Sequence, residues 1–135
     1  MGDILVKIRT KATRRSFKKR SILLYQGEAP RMAFVLSTGV VKVYTINNAG
    51  EEQIVSFHAQ SDIFPSPWIF HKTATTMYYY EALTDCEVLT LPREELYQDL
   101  VASPELLTST LDYFVTNYTS LLMRVTALEQ SRARE

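Results

Sequence analysis

The C-terminal third of the chain contains a run of apolar residues at helical spacing. The steps alternate between four and three residues and average about 3.5, the period that keeps one narrow stripe turned towards a partner helix. Neither proline nor glycine interrupts the sequence after Pro104. We therefore predict one long helix that pairs with the same helix of a second molecule. The stripe consists of Leu107, Leu111, Phe114, Tyr118, Leu121, Val125 and Leu128.

The residues before the stripe have the features of a helix start. Ser103 can cap the helix, Pro104 fits its first position, and Glu105 suits its positive end. We expect the helix to end near residues 127–130. A stripe of about three heptads is longer than a small β-rich body could cover, which favours a dimer over packing within one chain. Leu106, Val115 and Leu122 lie off the stripe and could pack on the β-rich body of the same chain.

Short β-strands separated by turn residues precede this helix. Residues 41–45 alternate between apolar and polar positions, and residues 47–50 form a hairpin turn rich in Asn and Gly. In the returning strand we expect Ile54, Ser56 and His58 on one face and Val55 and Phe57 on the other. About eight strands at this spacing predict a small barrel or jelly roll. We assign strands to residues 21–25, 32–37, 41–45, 53–58, 62–64, 77–83 and 86–91, and helices to a short turn at 66–67 and to 93–101.

Composition narrows the class of protein. A chain of 135 residues with 46% hydrophobic and 22% charged residues is typical of one globular domain. No apolar run approaches the roughly 18 residues that a membrane span needs, and the basic N-terminus lacks the apolar core of a signal peptide. Cys86 is the single cysteine, so an internal disulfide is excluded. We expect a cytoplasmic protein without a membrane partner.

The charge is unevenly distributed although its total is zero. Residues 1–20 contain eight basic residues and one acid, whereas acids are in excess in the remainder. Residues 1–16 show no firm period and could form a loose helix or a strand. The basic segment either packs as a solvated leader on the acidic body or contacts phosphates.

Several short motifs occur in a specific order along the chain: FKKR at 17–20, QGE at 26–28, FVLSTGVVKVY at 34–44, GEE at 50–52, SDIF at 61–64, CEV at 86–88 and SPEL at 103–106. Together they resemble the sensor domain of the Crp/Fnr transcription regulators. The resemblance implies a mainly β fold with C-terminal helices, in which a double-stranded β-helix (jelly-roll) barrel is followed by a short helix and a long dimerisation helix.

The resemblance also implies a domain organisation. Residues 1–16 would be a basic N-terminal segment, 17–102 a cyclic-nucleotide-binding-like β-roll with its short helix, and 103–135 the dimerisation helix. The winged helix-turn-helix that follows this helix in the family is absent from the 135 residues, so we expect a fragment of a longer regulator. DNA would be bound only through that missing domain.

The nucleotide-binding motif of the family is altered in this chain. Pro65 and Ser66 stand where nucleotide-binding members have a glycine and an acid, and a proline has no N–H to offer a phosphate. The family's arginine–serine pair aligns with Thr76 and Met77. The two small hydroxyl residues of the long helix, which touch the base, align with Leu121 and Leu122. We therefore predict that cyclic AMP and cyclic GMP are not effectors.

Aromatic residues provide a different candidate pocket. Tyr78 and Tyr80 share one face of their strand, and with Trp68 nearby they could line an apolar pocket for an unidentified small-molecule effector. Alternatively, the rings fill the interior and nothing binds. The candidate pocket residues are Ser66, Trp68, Thr76, Tyr78, Tyr80, Leu121 and Leu122.

Enzymatic and metal-dependent functions have little support in the sequence. His58 and His71 are the two histidines, fewer than the three protein ligands that a catalytic metal usually takes. Haem ligation by His71 or Cys86 is conceivable from the family but has no further signal. We predict no catalytic residue, no metal and no cofactor. The alternatives to a sensor are a dimeric interaction module without a ligand and a jelly-roll metalloenzyme.

Overall fold

The computed structural model describes Ile8 and residues 11–134, and it confirms a mainly β fold followed by C-terminal helices. The chain divides into two compact units, residues 1–99 and residues 100–135. Most of the predicted basic segment at 1–16 lies outside the described residues. No helix in the described part of the chain is both long enough and apolar enough to span a bilayer.

The described strands form two four-stranded antiparallel sheets. The first has the order β1-β8-β3-β6 and the second the order β2-β7-β4-β5. The elements are β1 Thr13–Phe17, β2 Ile22–Leu24, β3 Ala33–Thr38, β4 Val41–Ile46, β5 Glu52–His58, β6 Ile63–Phe64, α1 Ser66–Ile69, β7 Tyr79–Ala82, β8 Cys86–Leu91, α2 Arg93–Ala102 and α3 Pro104–Arg134.

The core of the first unit contains inward-facing side chains from both sheets. The first sheet supplies residues of β3, β6 and β8, and the second supplies residues of β2, β4 and β7. Burial of these apolar side chains between two sheets is the main favourable term in such a fold. The cluster consists of Leu23, Leu24, Phe34, Leu36, Val41, Val43, Phe64, Tyr80, Ala82, Cys86 and Val88.

The strict alternation predicted for β5 is wrong. Val43 pairs with Ser56 and Tyr44 with Ile54, so that Val55 is an extra residue in the ladder. This β-bulge changes the side-chain phase. Val55 therefore packs on the core and His58, three residues later, is buried.

Other elements differ from the prediction mainly at their ends. β1 was not assigned because its exposed edge position removes the apolar alternation. β7 begins at Tyr79 rather than Met77, and α3 continues to Arg134. The predicted cap of α3 is confirmed, since the Leu106 N–H donates to Ser103 Oγ at 3.3 Å.

The turn between β3 and β4 depends on Gly39. Its φ is +96°, and a Cβ at this position would overlap the Asp85 carbonyl oxygen and lie 2.8 Å from Cys86 Sγ. Glycine lacks that atom and tolerates the left-handed conformation. The residue therefore allows the turn to approach the start of β8 closely.

Tyr44 lies in an aromatic and ionic cluster on the outer face of the second sheet. Its ring stacks on Tyr79 at 5.2 Å, Lys42 Nζ lies 4.7 Å from the ring centroid, and its hydroxyl donates to Glu81 Oε1 at 3.1 Å. Burial, together with the bond to Glu81, raises the pKa of Tyr44 to about 12. The phenol of Tyr44 therefore stays neutral in the pH range just above 10.0, in which ordinary tyrosines ionise.

We expect Tyr44 to make the stability of the first unit fall at alkaline pH. The unfolded residue ionises near its ordinary pKa of 10.0 and the folded one near about 12, so its stabilisation is complete below pH 10 and is lost between these values. The loss is at most about 2.7 kcal/mol. Urea unfolding of Tyr44→Phe from pH 9 to 12 should show a weaker pH dependence than wild type. Tyr25→Phe, on an exposed ring, is the matched control, and equal slopes for Tyr44→Phe and wild type would contradict the assignment.

Candidate functional site

The α1 segment lacks the features of an anion-binding turn. Pro65 is the N-cap with an extended conformation and no side-chain capping bond, and Pro67 removes another N–H from the first turn. Ser66 is the first helical residue of α1 and does not cap it. A short helix that begins in this way has few free amides to surround a phosphate.

A clamp of side chains holds α1 to α2. The Arg93 guanidinium lies over the Trp68 ring at 4.8 Å and donates to the Trp68 carbonyl at 3.3 Å. Beside it, His71 Nε2 lies 2.7 Å from Glu94 Oε1, and the His71 ring meets the Tyr97 ring edge-on at 5.3 Å. We call these five residues the α1–α2 clamp.

The clamp could not have been found from sequence spacing. Its two pairs join residues that are 25 and 23 positions apart, and neither pair shares a helix face or a strand ladder. Glu94 lies in the first turn of α2, where an acid suits the positive end of the helix, but this position alone does not indicate His71 as its partner.

Thr76 has a structural role at the β2–β3 turn. Its hydroxyl donates to the Tyr25 carbonyl at 2.6 Å, and its N–H donates to the Glu28 carbonyl at 2.9 Å. Gly27 N–H returns a bond to the Thr76 carbonyl. Thr76 is buried, and its polar groups are already committed to the protein.

Parallel aromatic rings occupy the interior beside the candidate pocket residues. The Phe64 ring stacks on Phe34 at 5.2 Å, on Tyr80 at 5.3 Å and on His58 at 5.1 Å. Tyr78, just before β7, packs against the core cluster that contains Tyr80. We call Phe34, His58, Phe64 and Tyr80 the ring stack.

The remaining candidate residues belong to different places. Leu121 and Leu122 lie on α3, in the second unit, and each exposes about half of its surface. Ser66 is half-buried at the start of α1. The structure therefore brings Tyr78 and Tyr80 into one cluster and places Trp68 in the α1–α2 clamp. Thr76 instead forms hydrogen bonds that stabilise the β2–β3 turn.

A cleft of about 340 Å³ lies elsewhere, beside Phe17, Asp85 and Cys86. Burial raises the pKa of the Cys86 thiol, which donates to the Thr84 and Val40 carbonyls. The thiol is thus held in its protonated form. Among the residues that the structure describes, no group of three or more His, Cys, Asp or Glu side chains is placed to hold a metal ion.

The cyclic nucleotide-binding domain model matches residues 14–102. The chain therefore belongs to the cyclic nucleotide-binding domain family. The transcriptional activator protein anr of Pseudomonas aeruginosa is 33% identical over 61% of this chain and 33% of its own length. This similarity confirms the resemblance to Crp/Fnr-type regulators.

Solved structures share the fold at low sequence identity. A transcriptional regulator from Thermotoga maritima superposes with a TM-score of 0.76 at 20% identity, over 92% of this chain and 96% of that chain. The sensor domain of the regulator DNR from Pseudomonas aeruginosa superposes with a TM-score of 0.68 at 18% identity, over 89% of this chain and 80% of that chain. The curated relatives are longer proteins, of which the matched segments span between 19% and 41%.

Trp68 is the only tryptophan, so its fluorescence reports directly on the clamp. Arg93→Ala removes the cation over the ring and the bond to the Trp68 carbonyl, and we expect a red-shifted emission and a loss of about 1–2 kcal/mol in unfolding free energy. Arg93→Lys keeps the charge but not the planar stacking, so its emission and its unfolding free energy should lie between those of wild type and Arg93→Ala. Arg31→Ala removes an exposed cation outside the clamp and should leave the spectrum unchanged. An unchanged spectrum in Arg93→Ala would contradict the clamp.

Proposed function

We propose that this chain is the sensing and dimerisation part of a DNA-binding transcription regulator. Two similarities support the proposal: the relative anr is a transcriptional activator, and the DNR structure is the sensor domain of a transcriptional regulator. The strand orders of the two sheets are those expected for a jelly roll, the fold implied by the family resemblance. The role is one of binding in the cytoplasm and not of catalysis.

The observation that carries the proposal is the exposure of α3. From residue 115 to residue 133 every residue of this helix is exposed, so the last four residues of the predicted stripe have no cover among the described residues. Six of the seven stripe residues expose between 43% and 66% of their surface, and Phe114 is half-buried. Apolar side chains at heptad spacing are buried when a second copy of the helix pairs with them. A homodimer through α3 follows.

The dimer can be tested by truncating the stripe. Leu111→Ala and Tyr118→Ala each remove a side chain that appears twice in a symmetric interface, and we expect the dimer dissociation constant to rise at least about tenfold for each. Met123→Ala is the matched control, because Met123 is as exposed as Leu128 but lies off the stripe. Sedimentation equilibrium measures the constants.

Two results would contradict the proposed interface. One is a wild-type protein that stays monomeric at high micromolar concentration. The other is an equal weakening by Met123→Ala, which would show that the stripe is not the contact.

The effector is proposed to differ from cyclic AMP and cyclic GMP. The proline-flanked start of α1 offers few amides for a phosphate, and Thr76, which aligns with part of the family's arginine–serine pair, bonds the β2–β3 turn instead. An uncharged or aromatic molecule beside Tyr78, which packs against the apolar core cluster, fits its surroundings better than an anion. By shifting how the two α3 helices pair, it would change the spacing of the DNA-reading domains.

A second candidate function is that of a dimeric module without a ligand. The ring stack favours it, because rings in van der Waals contact leave little space for a small molecule. Binding of any small molecule that shifts the dissociation constant of the dimer would decide in favour of the sensor.

Thermal denaturation distinguishes the nucleotides from other effectors. Millimolar cyclic AMP or cyclic GMP should leave the melting temperature unchanged. A ligand at about 100 times its dissociation constant would add about 2.7 kcal/mol of stability, a shift of several degrees. A saturable stabilisation by either nucleotide would show that α1 binds a phosphate in spite of its prolines.

A further inference from the structure

Strand β1 and the turn after it form a strongly basic edge of the first sheet. Within the described residues β1 pairs only with β8, so its other side is open. All of the basic side chains in this segment are exposed. We call Arg14, Arg15, Lys18, Lys19 and Arg20 the basic edge.

The basic edge is not neutralised by the described part of the chain. None of its five side chains takes part in an ion pair there. Two acids of the described residues lie close by. Asp85 Oδ1 accepts the backbone N–H of Lys19 at 2.8 Å, and Glu87 pairs across the ladder with Ser16. Five cations thus face two carboxylates, and the edge keeps a positive excess.

The strand geometry distributes these cations on both sides of the edge. Arg15 is opposite Val88 and shares the inward side with Phe17, whose ring lies 4.8 Å from the Arg15 guanidinium carbon. Arg14, one residue earlier, points to the other side. The stacking on Phe17 holds the guanidinium in place while leaving its N–H donors free for an oxygen ligand.

The absence of apolar surface indicates what kind of partner the basic edge fits. No large apolar side chain between residues 12 and 21 is exposed. Protein interfaces centre on buried aromatic and aliphatic anchors and are depleted in lysine. Contacts to a phosphate backbone need only cations, and these supply most of the affinity for nucleic acid.

We propose that the basic edge binds the phosphate backbone of duplex DNA, independently of base sequence. This inference rests on the proposed function, since a transcription regulator works on duplex DNA. The edge adds a second, unspecific DNA contact within the sensing unit itself, apart from any base-reading domain. Arg14, Arg15, Lys18, Lys19 and Arg20 are its contact residues.

The test measures the salt dependence of binding between the 135-residue chain and a fluorescein-labelled 20-base-pair duplex of arbitrary sequence. Fluorescence anisotropy at several sodium chloride concentrations gives the slope of log K against log salt. Each phosphate contact contributes about −0.9 to this slope, or about 3.5-fold in affinity between 50 and 200 mM salt. Lys18→Gln with Lys19→Gln should reduce the slope by up to about 2, and the double arginine variant at these positions should retain it.

The matched control removes two exposed cations elsewhere, by Arg31→Gln with Lys72→Gln, and should leave the slope unchanged. An equal reduction of the slope in the two double variants would show that DNA is attracted by net charge only, and would overturn the proposal. So would no binding at 20 mM salt, or tighter binding to polyglutamate than to DNA, which would indicate an acidic protein partner. If the variant with both Lys18→Gln and Lys19→Gln fails to fold, the slope is measured on Lys18→Gln alone. A salt slope in a chain that neither dimerises nor responds to any effector would leave this inference intact and remove the proposed function.

Discussion

The stacking of Phe64 on three other rings is the interaction on which the rest of the first unit depends. Phe34 and Phe64 belong to the first sheet, whereas His58 and Tyr80 belong to the second, so the stack joins the two sheets through the core. Offset parallel rings contribute about 0.5–1.5 kcal/mol per pair beyond the area that they bury. Because β6 contains only two residues, its place in the sheet relies on this contact of Phe64 more than on its ladder.

The α1–α2 clamp explains how α1 is held in place by side chains of the protein itself. In an anion-binding turn the ligand fixes the free amides at the start of a helix. Here Pro65 and Pro67 restrict the backbone, and Arg93 holds Trp68 from α2. Side chains of the protein thus provide the contacts that order α1, so a molecule that binds beside Trp68 would have to work against Arg93.

The sequence was sufficient for those features that depend on neighbours in the chain. Alternation predicted β4, the Asn and Gly residues at 47–50 predicted the turn, and Ser103 before Pro104 predicted the cap, because strands, turns and caps are local. The bulge at Val55 escaped prediction because it depends on register with another strand, which composition does not encode. The contacts of the clamp and of Phe64 were not predicted for a related reason. They join residues that are distant in the sequence, and the packing of the whole unit decides whether such residues meet.

The second unit poses a different physical problem, because beyond its first turns the long helix has few contacts with the described residues to stabilise it. Helices in water are marginal when they lack tertiary contacts, and β-branched and aromatic residues weaken them further. Beyond residue 114 no position of α3 is buried in the described chain, yet the segment contains Val115, Tyr118 and Val125. A sequence selected only to form a solitary exposed helix would carry polar, straight-chain residues at these positions. Tyr118 and Val125 belong to the stripe at heptad spacing, and such side chains lower the free energy when a second helix covers them, which supports the proposed homodimer.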